Sequence, residues 1–373
     1  MNLNLADIRK QLHKFPEISG EEKDTAQKIE SILGRLGIQD LETGIGGHGI
    51  LAFPQGRENT QIMVRCELDA LPIPERNTFD HRSTIPGKMH ACGHDGHMSI
   101  LLGLAEKLMQ EPIEGLSPVL LFQPAEETGK GALEVIKSDA FQNLNLKSAL
   151  ALHNIPGQDL ASISARPGTM CMISVGLKFR FLGSTSHAAF PELGNSPNKL
   201  VHKLFDWVYE KCPETVIATP VHTEIGSPDF GINPGLGTWS ITLRSASESD
   251  LNQSVQDLIE LAVNEGGKLG VKVEHEKADP FPLTGNHADL FETLKAVCTE
   301  EGFPLETLDQ PFRWSEDFGH FKSVCPSLLF GLGSGVNQPN LHYPNYDFPD
   351  EIQERGSMVF YKTLEKLSKK HGA

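Results

Sequence analysis

Only 6 of the 373 residues are cysteine, and they stand singly at positions 66, 92, 171, 212, 298 and 325. That scatter shows no disulfide framework and no paired-cysteine motif, so it points to a reducing, cytoplasmic compartment. Basic residues are also scarce: 33 Lys and Arg face 49 Asp and Glu, a formal charge of −16. Such a surface repels phosphate backbones and anionic lipid, which argues against nucleic acid and membranes as partners. No run approaches the ~20 apolar residues of a bilayer span. The opening segment, MNLNLADIRKQLHKFPE, reads as the start of an amphipathic helix with no apolar signal core. Three catalytic signatures are missing as well: His-Glu-x-x-His, the Gly-x-Ser-x-Gly elbow and the Gly-x-x-x-x-Gly-Lys-Ser/Thr phosphate loop. What remains is a globular composition, 39% hydrophobic and 22% charged, over a length that suits two or three domains.

The first 170 residues alternate apolar runs with helical patterns. Ile8, Leu12 and Phe15, then Ala26, Ile29, Ile32, Leu33 and Leu36, predict two helices separated near Pro16. Short buried strands are expected at Gln61-Ile-Met-Val-Arg-Cys, Val119-Leu-Leu-Phe and Ser148-Ala-Leu-Ala-Leu, with a helix over 100–108 between the first two. Strands separated by helices predict a βαβ arrangement and a mixed, mostly parallel sheet flanked by helices. The middle differs: strands with alternating polarity at 173–182 and 238–243 enclose a helix near 198–209, and a longer helix follows at 248–269. This reads as an inserted α+β domain. Helical and apolar patterns then resume at 288–301, 326–330 and 350–368. The expected organisation is a discontinuous main domain, 1–172 and 284–373, carrying an insert at 173–283.

In an open α/β sheet, ligands bind beyond the carboxyl ends of the strands. Acids, imidazoles and a thiol recur at those places. Glu67 and Asp69 follow the first strand, Glu126 and Glu127 the second, His153 the third, and His342 comes after the late strand. Between the first two lies His90-Ala-Cys-Gly-His-Asp-Gly-His, at the entrance to a helix. A tandem Glu pair is ordinarily a solvated one, and a lone His after a strand ordinarily makes a structural hydrogen bond. Three imidazoles, a thiol and an acid within eight residues are different, because imidazole, thiolate and carboxylate are metal ligands. Cys92 acting as a nucleophile beside His94 leaves Glu126, Glu127, His153 and His342 unexplained.

These segments resemble a known family. His90 to His97, Phe122-Gln-Pro-Ala-Glu-Glu, Leu152-His, Gly183 to Pro191 with Ser186-His187, Ser315-Glu-Asp-Phe-Gly and Leu341-His are similar to the aminoacylase and carboxypeptidase G-like metallopeptidases. The likeness is to the branch of hippurate hydrolase and the auxin-conjugate amidohydrolases, and it runs in order along essentially the whole chain. It implies a di-metal catalytic domain interrupted by a dimerisation or lid domain, and a homodimer or higher homo-oligomer. It further implies that Cys92 bridges two divalent ions, with His94 and His153 on one and Glu127 and His342 on the other. Glu126 is the implied general base, Asp69 the acid that orients a ligating imidazole, His187 the lid histidine that stabilises an oxyanion, and Arg244 the clamp on a substrate carboxylate.

The implied reaction is cleavage of an N-acyl or N-aroyl amino acid to a carboxylic acid and a free amino acid. A dipeptidase or carboxypeptidase on the same site is the alternative. A thiol enzyme using Cys92, or a non-catalytic binding protein on a hydrolase scaffold, stands further off. Zn and Mn suit the ligand set, with Co and Ni as alternatives. Two positions depart from the family pattern: Glu67 stands where Asp is usual, and Gly231 where Asn is usual, with Asn233 two residues later.

Overall fold

The computed structural model describes residues 2–371. The chain divides into two compact units. One comprises the residues up to Met170, then Thr284–Gln310, and the chain from Asp317 onward; the other comprises Cys171–Leu283 with Pro311–Glu316. The short segment joins the second unit through its backbone, because Met172 N–H donates to the Phe312 carbonyl at 3.1 Å.

The first unit is built on an eight-stranded sheet. Its order is Leu41–Ile45, Gly49–Ala52, Leu116–Gln123, Thr60–Glu67, Leu146–Pro156, Ser327–Gly335, Ile163–Ala165 and Leu305–Thr307. The four long central strands run parallel to one another; antiparallel pairing occurs at the Leu41–Ile45 edge and where Ile163–Ala165 meets Ser327–Gly335. Parallel strands covered on both faces need apolar side chains throughout rather than an alternation. Leu116–Gln123 accordingly has every residue buried. The helices Leu5–His13, His94–Gln110, Ala288–Glu301 and Gln353–His371 belong to the same unit, and Leu12, Ile100, Leu104, Leu294 and Leu364 pack with Ile62, Val64 and Phe330 in one core.

The second unit has a four-stranded antiparallel sheet, Val216–Ile225, Leu236–Ser245, Ile173–Leu182 and Lys272–Phe281. Here one face is dry. Phe179, Phe181, Trp239 and Ile241 pack against Leu200 and Leu204 of Asn198–Asp206 and against Leu251, Val255 and Leu258 of Glu248–Lys268. Ser247 caps the longer helix by accepting from Asp250 N–H.

Several boundaries shift from the sequence expectation. The strand expected at 148–152 extends to Pro156, so His153 sits inside a strand rather than after it. The late strand runs on to Gly335, and the last helix starts at Gln353 after a 3₁₀ turn, Asp350–Ile352. The helix expected over 198–209 ends at Asp206 and gives way to a wider turn, Trp207–Lys211. The edge strand Val216–Ile225 has no counterpart in the sequence reading, because half of its residues are exposed and it shows no apolar run.

Candidate metal centre

The two middle strands of the large sheet carry their polar residues in register. Glu67 is level with Gln123, and Arg65 with Ala151, which places His153 close beyond them. Two backbone positions are unusual: Ala125, in the turn after Gln123, has φ 55°, and His342, in the loop after Ser327–Gly335, has φ 65°, left-handed values that non-glycine residues seldom adopt. Two buried anchors hold them. Ala125 N–H donates to Glu22 Oε1 at 2.8 Å, and His342 N–H donates to the Ala91 carbonyl at 2.8 Å. Gly93, at φ 92°, leads into the helix His94–Gln110, and a Cβ there would lie 2.6 Å from Asn154 Oδ1. Strain collected at such places, with other groups over-determining it, is a mark of functional sites.

This scaffold gathers the residues singled out in the sequence. One ligand atom each from Cys92, His94 and His153 lie within 4.8 Å of one another, and so do those of Cys92, Glu127 and His342. Cys92 belongs to both groups. A further group, His94, Glu126 and Glu127, meets the same limit. Cys92 Sγ is 3.5 Å from His153 Nε2, and His342 Nε2 is 3.5 Å from Glu127 Oε1. His90 is not drawn in. Its ring is buried with neither nitrogen hydrogen-bonded, and it lies 6.3 Å from the His13 ring. His187 and Arg244 belong to the second unit. His187 lies in the ladder with Ile232, where its Nδ1 accepts from Ala189 N–H, and Arg244 Nη1 donates to Ser315 Oγ at 3.0 Å. Asn233 is occupied structurally, donating to Ser186 Oγ at 3.1 Å and to the Pro191 carbonyl at 3.2 Å.

The donor set fits metal. His94 Nδ1 donates to the Asp69 carbonyl at 2.8 Å, while its Nε2 is buried with no hydrogen-bond partner. Glu127 Oε1 is also buried and without a hydrogen bond. Atoms of this kind are costly to leave unsatisfied, and a cation satisfies both. Burial pulls His94 down, but its hydrogen bond to Asp69 and the charges of Glu67, Asp69 and Glu127 carry it up to about 10. The carboxylate field that would place a proton on His94 favours a divalent cation at the same nitrogen. His153 is the opposite case: burial and the neighbouring His97 push it down to about 3, the neutral state a ligand needs. Its Nδ1 donates to the Asn154 carbonyl at 3.0 Å, so Nε2 faces Cys92. Asp69 is held low by His94 and the backbone of Glu127 despite its burial, and its Oδ2 accepts from Ser19 Oγ at 2.7 Å and Glu127 N–H at 2.9 Å.

Comparison with known proteins identifies the family. The sequence model of peptidase family M20/M25/M40 matches residues 63–366. The chain belongs to that family. It is a metal-dependent hydrolase of the amidohydrolase and peptidase type. It is 28% identical over 374 residues to IAA-amino acid hydrolase ILR1-like 5 of Arabidopsis thaliana, covering 95% of this chain and 84% of the relative. It is 30% identical over 387 residues to N-acetyldiaminopimelate deacetylase of Streptococcus sanguinis, covering 98% of this chain and all of the relative. The fold matches that of Bacillus subtilis YXEP protein, a dinuclear metal-binding M20 peptidase, with a TM-score of 0.85 at 21% identity and 98% coverage of both chains. No helix of this M20 chain among the described residues is long and apolar enough to cross a membrane.

Sequence reasoning passed over several residues around the M20 cluster. Arg65, Gln123 and Asn154 are buried beside it and were not singled out. Arg65 carried one usable signal, a charged residue inside an apolar strand.

Proposed function

We propose that this M20 chain hydrolyses the amide bond of N-acyl or N-aroyl amino acids, releasing a carboxylic acid and a free amino acid. One observation carries the reading: Cys92 is shared by two ligand groups, with Glu126 in a third group that includes His94 and Glu127. Cys92, His94 and His153 would hold one divalent ion, and Cys92, Glu127 and His342 the other. Bound there, such a pair lowers the pKa of a water and polarises the scissile carbonyl.

The chain's own groups do the rest. Glu126, 5% exposed, accepts a hydrogen bond on Oε1 from Asp317 N–H at 3.4 Å. It takes a proton from the attacking water and delivers it to the leaving nitrogen, so one carboxylate serves as base and then as acid. Its neighbour Glu127 is committed to metal, which separates the two roles on adjacent residues. Asp69 fixes the orientation of His94 and of the Glu127 backbone.

His187 as oxyanion stabiliser and Arg244 as the clamp on the substrate carboxylate rest on family resemblance. So does the assignment of the second unit as a dimerisation and lid domain, with a homodimer or higher homo-oligomer as the working assembly. Zn or Mn suits a thiolate, imidazole and carboxylate set, with Co and Ni as further occupants. Six free cysteines agree with a cytoplasmic setting.

The test replaces Glu126 with Gln and measures hydrolysis together with metal content. At unchanged metal content, activity should fall by roughly 100-fold or more, the usual contribution of a general base. A smaller fall removes Glu126 from that role. A panel of acyl-amino acids, aroyl-amino acids and dipeptides, run with each metal after chelator stripping, identifies the substrate class. Preference for dipeptides would overturn the assignment.

A further inference from the structure

One charged residue sits inside the apolar part of the central strand Thr60–Glu67. Arg65 is 1% exposed, between Val64 and Cys66, where a buried parallel strand ordinarily carries an aliphatic side chain. A buried ion pair is weak as a stabiliser, since desolvation offsets much of the attraction, and apolar replacements of similar volume are often neutral. The presence of Arg65 in this strand therefore asks for another reason, and its partners supply one.

Its guanidinium divides between two carboxylates. Nη1 donates to Glu67 Oε1, while Nη2 donates to Asp317 Oδ1 at 2.6 Å and Nε to Gln123 Oε1 at 2.9 Å. From Glu67 a chain of contacts runs toward the first ligand group. His97 Nδ1 donates to Glu67 Oε2 at 2.7 Å, and His97 Nε2 lies 2.6 Å from Asn154 Oδ1. The carbonyl of Asn154 accepts from His153 Nδ1, which sets the ring with Nε2 toward Cys92. The Asn154 side chain is also fixed from its other end, with Nδ2 2.5 Å from the Tyr346 hydroxyl.

From Asp317 a second chain runs toward Glu126. Gln123 Nε2 donates to both Asp317 oxygens, at 2.9 and 2.8 Å, and Ala132 N–H donates to Oδ2 at 2.8 Å. Held in this way, Asp317 presents its backbone N–H to Glu126 Oε1. The planar fork of arginine is suited to bridging two carboxylates in fixed directions, which a lysine does not reproduce.

We propose that Arg65 is the common anchor of two positioning arms, one through Glu67, His97 and Asn154 to His153, the other through Gln123 and Asp317 to Glu126. Arg65, Glu67, His97 and Asp317 are positioning residues in this scheme, acting through the groups they hold. The inference rests on the proposed metal centre and base. It adds that the two halves are set separately, from one buried charge. Losing the first arm loosens a ligand, and losing the second misplaces the base.

The experiment compares Glu67→Gln and Asp317→Asn, which keep side-chain shape, with Arg65→Lys and Arg65→Met. Each protein is stripped and titrated with Co²⁺. Three quantities are read: the dissociation constant, the thiolate-to-cobalt band in the near ultraviolet, and kcat and KM for the best substrate in the panel. Glu67→Gln should weaken Co²⁺ binding by roughly 10- to 100-fold, as losses behind a ligating histidine do, and alter the band. Asp317→Asn should leave binding and band as they are while kcat falls by roughly 10- to 100-fold, the cost of a displaced catalytic group. Arg65→Lys should show both defects in milder form.

Thermal melts of the apoproteins report folding. Should Arg65→Met fail to fold, the two isosteric variants still decide the matter. Glu67→Gln with unchanged affinity and band, or Asp317→Asn with a metal defect equal to that of Glu67→Gln, overturns the proposal. The Cys92→Ala protein serves as control. If it and the parent chain take up Co²⁺ alike, the metal centre itself is wrong, a failure distinct from that of the two arms.

Discussion

His94 turns Nδ1 to the carbonyl of Asp69 at 2.8 Å, and this leaves Nε2 buried and without a hydrogen-bond partner. Asp69 thus acts on the cluster through its backbone as well as its carboxylate, which accepts from Ser19 and from the backbone of Glu127. Asp69→Ala keeps the backbone contact and removes the rest. Metal affinity should drop by roughly 10- to 100-fold, measured by competition with a chromophoric chelator. Ser19→Ala should produce a smaller change in the same direction. An Asp69→Ala protein that binds metal as tightly as the parent would remove this residue from its orienting role.

A second prediction concerns pH and a residue that is not itself a proposed ligand. His13 is buried, with Nδ1 donating to Asp95 Oδ2 at 2.8 Å and Nε2 3.2 Å from Glu75 Oε1; the rings of Phe79, His81 and His90 surround it, and Arg9 reaches the same Asp95 oxygen at 3.5 Å. Burial pulls the imidazole down, yet Asp95 and Glu75 carry it from 6.5 up to about 9. A raised folded-state pKa means that folding favours the charged form. The resulting stability is complete below pH 6.5 and is lost as pH rises through about 9. Melting temperature should decline across that window, and His13→Gln should flatten the decline. An unchanged slope in the variant would show that other groups set it.

Much of this was legible before the structure. The alternation of buried runs with helical periods marked the large sheet, because parallel strands covered on both faces cannot hide their composition. Glu126, Glu127 and His153 follow or lie in those strands, and Cys92 and His94 stand at the entrance to a helix. Residue type alone marked the His90–His97 run, while the remaining site roles came from the family resemblance. Other features were not legible, for physical reasons. Val216–Ile225 is an edge strand with half of its residues exposed and only Val216 buried, too little to impose an apolar pattern. The pairing of Arg65 with Glu67 and Asp317 joins residues 252 positions apart at its longer link, and local pattern carries no trace of it. Ala125 gives no hint of its left-handed backbone, which depends on the carboxylate of Glu22 more than 100 residues away.

Backbone crowding next to the base yields a stability prediction. A Cβ on Gly131 would sit 1.9 Å from the Pro124 carbonyl oxygen and 2.9 Å from the Ala125 backbone. Neither is the end of a flexible side chain. Gly131→Ala should therefore destabilise the protein by about 1–3 kcal/mol, the usual cost of overpacking, and lower hydrolysis by shifting the turn that carries Glu126. Urea denaturation gives the first quantity and steady-state kinetics the second. A variant with parental stability would mean that the turn yields more readily than its geometry indicates.

Chelation separates metal chemistry from thiol chemistry at Cys92. Stripping with EDTA should abolish hydrolysis and lower the melting temperature, since an ion that binds only the folded chain stabilises it by mass action. Both should return on adding divalent metal. Activity that survives complete stripping would instead place the chemistry on the thiol.

The central claim is that one thiolate joins two ion sites, and elemental analysis of the purified chain tests it most directly. The parent protein, saturated and freed of excess metal, should hold two ions per chain, and Cys92→Ala should hold fewer, because both ligand groups lose a member. Two ions retained in Cys92→Ala, or a single ion in the saturated parent, would contradict it.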